Sequence, residues 1–595
     1  VWCCHSPSGT EMVLGQSYAW LLHHLALLAC CSCSDAVRLH SAAARDADVW
    51  VSSDDVKDGD GMVICKGLPF KRTLGAPPIY PCKQLAWQKK EQELMNFLDR
   101  WNTSATQGMM LSVNEGGPQL PESGLGRLRG RQPFAFAHLV HSSVGVVREM
   151  ERPVDDQIVL SPSKKDGSGW GHPATVAIDE GRFVMFHHVT KYGDIARAES
   201  ADGLVWEHDE HLDIKLRLGS DFCVLLDKYE KDPRFKWKMI SGCKNGLGVT
   251  CLSTSPNGVN WTTHGRGEQI YGTWTDTLAC LHHDRPGDQY ELLMRYEPPS
   301  PVIMGRGIRG IKVLNGTLKE VLESVDTKVK WKPDELSKFV LDKEYGDREM
   351  FRRQIYSLSR TYQPGTGHMG IVQLYNFVQK SRKGDVWDEG ARKAEELGLQ
   401  KDYDSMHLYL MPSQDGLHFD TSWVYAGVPM LPDDMLDGYP YWDQASEILT
   451  HGGYHWVYYD RIAAHHLQRW GPKAQIGVFR YHEGRMVRLR AVKEEGVVVT
   501  QPFIFEPAQR LSLDVMSLTD SSVVTAELLA AGEGRAASLD LLEERAAVGA
   551  KPLLGANGTA RVEWSRVADE LKDQPVHLRI RFSGVYLYGF QLRRR

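Results

Sequence analysis

The sequence predicts an all-β protein: a five-bladed β-propeller followed by a C-terminal β-sandwich, with an irregular N-terminal region containing a short helix. Three observations predict it. First, a turn signature, Ser-x-Asp/Asn-Gly-x-x-aromatic, occurs at Ser200 to Trp206, Ser255 to Trp261 and Ser413 to Phe419. A degenerate copy runs from Ser324 to Trp331, and His482-Glu483-Gly484 ahead of Val487 is a fifth, so that the copies recur every 55 to 89 residues. Asp-Gly and Asn-Gly supply the positive φ angles of tight hairpins, and the aromatic residue after them begins a strand and packs inward. One such hairpin per four-stranded blade describes a propeller. Second, the stretches 183–189, 290–296, 406–411 and 454–459 are short, rich in aromatic and apolar residues, and bounded by Gly, Pro, Asp or Asn, as strands are. Third, from Val497 onward the pattern changes to the alternating residues of a small antiparallel sandwich, as in 511–515, 560–564, 576–582 and 585–588. A sandwich alone also gives short, regularly spaced strands, but does not repeat one turn motif five times.

Taken in order, residues 1–36 read as a leader and signal peptide, because the apolar run from Tyr18 to Cys30 is followed by small residues at Ser32, Ser34 and Ala36. Residues 1–11 precede the first Met and are set aside from fold reasoning. An uncleaved membrane anchor is the rival for this segment, although its apolar run is short for a full span. Residues 37–132 form the irregular region and connector, in which Leu94, Leu98 and Trp101 share one face of an amphipathic helix. The propeller is expected over 133–496, with a helix-containing insertion around Leu318, Val321 and Leu322, and the sandwich over 497–595.

Composition narrows the class. With 595 residues the chain is too long for one core, and its formal net charge of −6 gives no basic footprint for nucleic acid. Of the 11 cysteines, five precede residue 34, leaving Cys65, Cys82, Cys223, Cys243, Cys251 and Cys280. An even remainder suits disulfides, with Cys65 to Cys82 as a local loop and the other four stapling neighbouring blades. No CxxC pair occurs among these six and no HExxH motif occurs in the chain, so neither a metal nor a cofactor is expected. Asn-x-Ser/Thr sequons stand at Asn102, Asn260, Asn315 and Asn557, which with the leader and cysteines points to a secreted glycoprotein.

The segments HPATVAIDEGRFVMFHH, STSPNGVNWT, TDTLACLHHDRPGDQYELLMRYE and YWDQASEILTHGGYHWVYYD, in this order and followed by the sandwich pattern, resemble secreted glycosyl hydrolase-like proteins of the five-bladed furanosidase superfamily. That superfamily includes invertases, levanases and arabinanases. The resemblance covers residues 133 to 592 and implies an axial funnel lined by carboxylic acids from the innermost strands. Glycoside cleavage needs one acid to protonate the leaving oxygen and a second carboxylate to attack the anomeric carbon or activate water. Matching segments offer Asp276, Glu349 and Asp443 as catalytic candidates, with Asp221 a further acid. Trp170, His172, His187, Trp274, Arg295, Tyr441, Trp442, Glu447 and Arg461 are the substrate-binding candidates, aromatic faces for sugar C–H groups and polar groups for hydroxyls or carboxylates.

One departure bears on catalysis. The family carries an acid in its first inner strand, and the stretch aligned with it, 134–139, has His138 instead. His138 is either a replacement base, since imidazole titrates near neutrality, or a buried core histidine. The expected function is therefore a secreted glycoside hydrolase acting on an oligo- or polysaccharide. The alternatives are a non-catalytic carbohydrate-binding propeller and a glycoside phosphorylase in which Arg295, Arg352 and Arg353 would converge on phosphate.

Overall fold

The recurring turn is built the same way in each clean copy. Ser200 Oγ accepts the Gly203 N–H at 2.9 Å, and Asp202 Oδ1 accepts the N–H groups of Leu204 and Val205 at 2.9 Å each. Ser255 and Asn257 bind Gly258, Val259 and Asn260 in the same pattern, and Ser413 and Asp415 bind Gly416, Leu417 and His418. The turn glycines Gly203, Gly258 and Gly416 have φ of 76°, 77° and 76°, and Gly484 of the fifth copy also has 76°. A Cβ is disfavoured in that left-handed region, which is why the position is glycine. In the fifth copy His455 Nε2, rather than a serine, accepts the Gly484 N–H at 2.8 Å. The degenerate copy differs: Ser324 follows a helix, Lys319–Glu323, that buries Leu318, Val321 and Leu322.

This computed structural model describes the strand pieces 56–57, 63–65 and 80–81 and then residues 128 to 594, except for 129, 162–172, 189–193, 216–221, 243–249, 265–278, 297–309, 325–328, 340–352, 377–404, 433–434, 436–440, 444–446, 463–473, 493, 506–508, 519–520, 531–545, 551–552, 555–558 and 563–573. All described residues belong to one compact unit, Asp55–Arg595. The expected leader and the helix through Leu94, Leu98 and Trp101 lie outside the described residues.

Five antiparallel sheets follow one another along the chain. The first blade has, from the axis outward, Pro173–Asp179, Arg182–His188, Asp194–Ser200 and Glu207–Lys215. The second has Phe222–Leu226, Trp237–Gly242, Thr250–Ser255 and Thr262–Thr263, and the third has Cys280–His282, Gln289–Tyr296, Gly310–Thr317 and Asp334–Phe339. The fourth has Arg353–Gln363, Gly367–Asn376 and Ser405–Ser413, extended by a single bridge from Ser413 to Phe419. The fifth has Tyr441–Asp443, Tyr454–Ile462 and Ala474–His482, and takes its outer strand, Asp155–Leu160, from before the first blade. The clean turns and the His482-Glu483-Gly484 turn each follow the third strand of a blade.

Apolar seams close the ring. Phe186 and Val184 pack on Trp237 and Met239, Ile240 and Leu252 on Leu292 and Met294, and Leu293 and Val313 on Leu358 and Val372. Met369 and Ile371 then pack on Val457 and Tyr459, and Tyr458 and Val478 return to Val176 and Met185 of the first blade. Burying each such side chain contributes about 1.5–3 kcal/mol, so a change at any one seam loosens the ring locally.

The remaining strands form two sheets over a common core that includes Leu489, Val498, Leu513, Val515, Leu528, Leu578, Ile580, Leu587 and Phe590. Here the pairing departs from the expected boundaries. Gly130–Pro133, assigned to the connector by sequence, pairs with the last described strand, while Val146–Met150 and Val140–Val144, assigned to the propeller, pair with Val487–Ala491 and Gly496–Thr500, which in turn pair with the C-terminal strands. The cause is pairing between segments far apart in the chain, which local pattern does not reveal. Three short strands, Val56–Lys57, Val63–Cys65 and Tyr80–Pro81, form a further small sheet in the region expected to be irregular.

Candidate functional site at the mouth of the ring

A meander sheet sets the start of its innermost strand beside the end of its second strand. The register shows this as Pro173 opposite His187, Phe222 opposite Ser241, Cys280 opposite Leu293, Arg353 opposite Asn376 and Tyr441 opposite Ile462. Contacts between blades tie these ends together. Thr175 Oγ1 accepts the Val224 N–H at 2.8 Å, a disulfide joins Cys223 to Cys280, and the Arg295 guanidinium lies 5.0 Å over the Tyr356 ring. We call this end the mouth. The disulfide is a staple between neighbouring blades of the kind expected, and Cys251 is disulfide-bonded as well.

Three of the expected binding residues have described side chains at the mouth. His187 is buried, with Nδ1 3.2 Å from the His188 carbonyl oxygen. It shares a strand face with Phe183 and Met185, which pack on the fifth blade. Arg295 is buried against Tyr356. Arg461 is buried, 3.6 Å from the Asp156 carboxylate. Tyr441, Trp442 and Asp443 form the innermost strand of the fifth blade, in register with Ile462, Arg461 and Asp460. Trp170, His172, Trp274, Asp276 and Glu349, together with Asp221 and Arg352, lie outside the described residues. In sequence, Asp221 directly precedes the innermost strand of the second blade, and Asp276 and Glu349 precede those of the third and fourth by four residues each.

Glu447 reaches into the axis instead of the mouth rim. Its carboxylate is 3.2 Å from His282 Nδ1, on the last residue of the third blade's innermost strand. Blades three and five are not neighbours, so this pair spans the axis rather than bordering the mouth.

The expectation for the stretch 134–139 is corrected by its place in the fold. Phe134 packs in the sandwich core, and His138 sits in a one-turn 3-10 helix, Ala137–Leu139, between sandwich strands. Burial pushes His138 down to about 4, so the imidazole is neutral at physiological pH. The true first inner strand is Pro173–Asp179, and the supposed missing acid of 134–139 says nothing about catalysis.

Sequence reading missed buried polar groups on both faces of the fifth blade's second strand. Asp460 is fully buried, opposite Asp443 in register, and Tyr459 OH donates to Asp156 Oδ1 at 2.6 Å. Burial and then the Asp156 charge push the Tyr459 hydroxyl far above its ordinary range, so it remains a donor. The available signal was a lone Asp-Arg pair closing the aromatic strand 454–462, where buried charge needs a partner. Among the described residues no group of three His, Cys, Asp or Glu side chains is placed to hold a metal ion.

The opposite end of the ring, where the turns lie, is filled with paired charge. Lys238 and Asp227, both fully buried, are 2.8 Å apart, and Lys238 Nζ also donates to Glu230 at 3.1 Å and to the Phe235 carbonyl at 2.7 Å. His283 Nδ1 is 2.7 Å from Asp227, and Tyr290 OH donates to Asp227 at 2.8 Å. Burial alone would raise the Asp227 pKa, but the His283 hydrogen bond and the Lys238 charge outweigh it and hold the carboxyl well below its usual range. Between the third and fourth blades, Arg360 pairs with Asp284 at 3.1 Å and with Glu291, and His368 Nε2 is 3.2 Å from Asp284.

A ring of five sheets closed by apolar seams defines the class of fold as a β-propeller. No known family model and no curated protein matches the sequence. Among solved structures, the chain is similar to a thermostable family-43 glycoside hydrolase, with 14% identity and a TM-score of 0.37 over 53% of this chain and 90% of that one. It is also similar to the exo-inulinase of Aspergillus awamori, with 11% identity and a TM-score of 0.31 over 75% and 99% of the two chains. A third is the α-L-arabinofuranosidase of Podospora anserina in complex with cellotriose, with 9% identity and a TM-score of 0.32 over 55% and 94%. No residue role follows from these likenesses.

Proposed function

We propose that the protein is an exported glycoside hydrolase that cleaves an oligo- or polysaccharide at the mouth of the ring. The observation that carries this reading is the convergence of innermost-strand starts, which the Thr175–Val224 bond, the Cys223–Cys280 disulfide and the Arg295–Tyr356 contact hold at one end. Segments bearing Asp221, Asp276, Glu349 and Asp443 enter or form those strands, so acids distant in sequence have a route to one place. In this proposal Glu349 is the general acid, and Asp276 or Asp443 acts as base, nucleophile or charge stabiliser. His187, Arg295 and Arg461 supply polar groups for sugar hydroxyls. Export is supported by the disulfide, since such bonds persist in oxidising compartments.

With 134–139 between sandwich strands and outside the blades, the main support for a propeller that binds sugar without cutting it falls away. The test is a screen of aryl glycofuranosides and of plant and microbial polysaccharides, with products followed by mass, run beside a glycan array. Product from at least one substrate is expected. Tight array binding with no product from any substrate would move the assignment to a binding module.

A further inference from the structure

We infer that Asn260 is an N-glycan acceptor and that Asn315, which carries an equally good sequon, is not. The inference rests on the export reading above but not on the chain being a glycosidase. Asn260-Trp261-Thr262 lies on the clean turn of the second blade, where Asn260 and Thr262 are exposed. The backbone N–H of Asn260 is held by Asn257 Oδ1 at 2.9 Å, and the Trp261 indole donates to the Gly258 carbonyl at 3.0 Å. These bonds fix the turn and leave the exposed Asn260 amide at the rim. Among the described residues, Thr262–Thr263 is the outermost strand of its sheet.

Asn315 has the opposite surroundings. It lies within Gly310–Thr317, paired to Glu291 on one side and to Asp334 on the other, and its Oδ1 is buried. Asn315 is half-buried between two paired strands, and its side chain would have to leave that position before its amide could meet a transferase.

The chemistry needs a co-reactant of one class, an oligosaccharide carried on a polyprenyl diphosphate. The Asn260 amide nitrogen forms a bond to the anomeric carbon while the bond from that carbon to the diphosphate oxygen breaks. The diphosphate leaves with the electron pair, and the amide proton passes through the transferase to solvent. At the turn end a glycan leaves the mouth clear, and it would shield a short edge strand from pairing with other chains.

The test is translation of the full chain, behind a heterologous cleavable signal sequence, into endoplasmic-reticulum microsomes, so that the native leader does not enter. The protease-protected product is treated with peptide N-glycosidase in H₂¹⁸O, which converts each glycosylated Asn to ¹⁸O-labelled Asp, and is mapped by peptide mass. Label at Asn260 and none at Asn315 is the expected result, and both Asn260→Gln and Thr262→Ala should lose one glycosidase-sensitive step in mobility. Protected chain with Asn260 unlabelled, or with Asn315 labelled, overturns the inference.

Discussion

The two ends of the ring are built on different principles. At the turn end, the Asp227–Lys238 cluster and the Arg360–Asp284–Glu291 cluster fasten the third blade to its neighbours with buried, hydrogen-bonded charge, and four glycines near φ 76° shape the turns. At the mouth, blades are held by a hydroxyl bond, a disulfide and a cation over a ring, while polar side chains such as His187, Arg295 and Arg461 sit on strand ends. The difference is one of fastening: buried ion pairs join the blades at one end, and a disulfide, a hydroxyl bond and a stacked cation join them at the other.

That comparison breaks first at Lys238. Lys238→Met leaves Asp227 and Glu230 without their cation in a buried site, a change expected to cost about 3–5 kcal/mol. Urea unfolding should show it, with turnover per folded molecule unchanged. A midpoint equal to that of the wild type would mean the turn-end charges fasten nothing.

On the mouth side, the Cys223–Cys280 bond closes a separation of 57 residues. Replacing both cysteines by Ser should lower stability by about 4 kcal/mol through the freed unfolded chain. Activity should fall as well, because the strands following Asp221 and Asp276 lose their staple. Lost stability with full activity below the melting point would separate the disulfide from the site.

A smaller effect follows from pH. Burial, with a lesser push from Arg131, lowers His455 to about 4 from an ordinary value of 6.5. Between those values the unfolded chain binds a proton that the folded chain refuses, so stability declines as pH falls from 6.5 towards 4, by up to about 3 kcal/mol for this histidine. Asp227 and Asp284, held low in the fold, keep their contributions through that window and lose them only below about pH 4. Melting curves of His455→Gln against wild type from pH 7 to 4.5 should converge as the pH drops. Parallel curves would contradict the assignment.

Much of this fold was legible because its repeated element is local. Ser200 to Val205 sets its turn by hydrogen bonds within six residues, so the motif carries its own geometry. The helix at Lys319–Glu323 was legible for the same reason, from the spacing of Leu318, Val321 and Leu322. What was not legible depends on partners far along the chain. Asp155–Leu160 completes the fifth blade by pairing with residues more than 300 positions later, and Gly130–Pro133 joins the last strand of the chain. The alignment of 134–139 with a first inner strand failed for this reason, since a short apolar stretch reads alike in a blade and in a sandwich, while the reading of His138 as a buried core histidine is the one the fold shows. At the site, residue types were readable and depth was not: nothing local distinguishes Glu447, which reaches across the axis to His282, from Asp443 four residues earlier.

The most direct measurement of the central claim is the leaving-group dependence of Glu349→Gln on whichever glycoside the screen identifies. The substitution keeps the shape and removes the proton donor. Cleavage of substrates with poor leaving groups should slow by about 10²–10⁴-fold, that of activated aryl glycosides far less, with the melting temperature unchanged. Wild-type rates on both kinds of substrate would contradict the account.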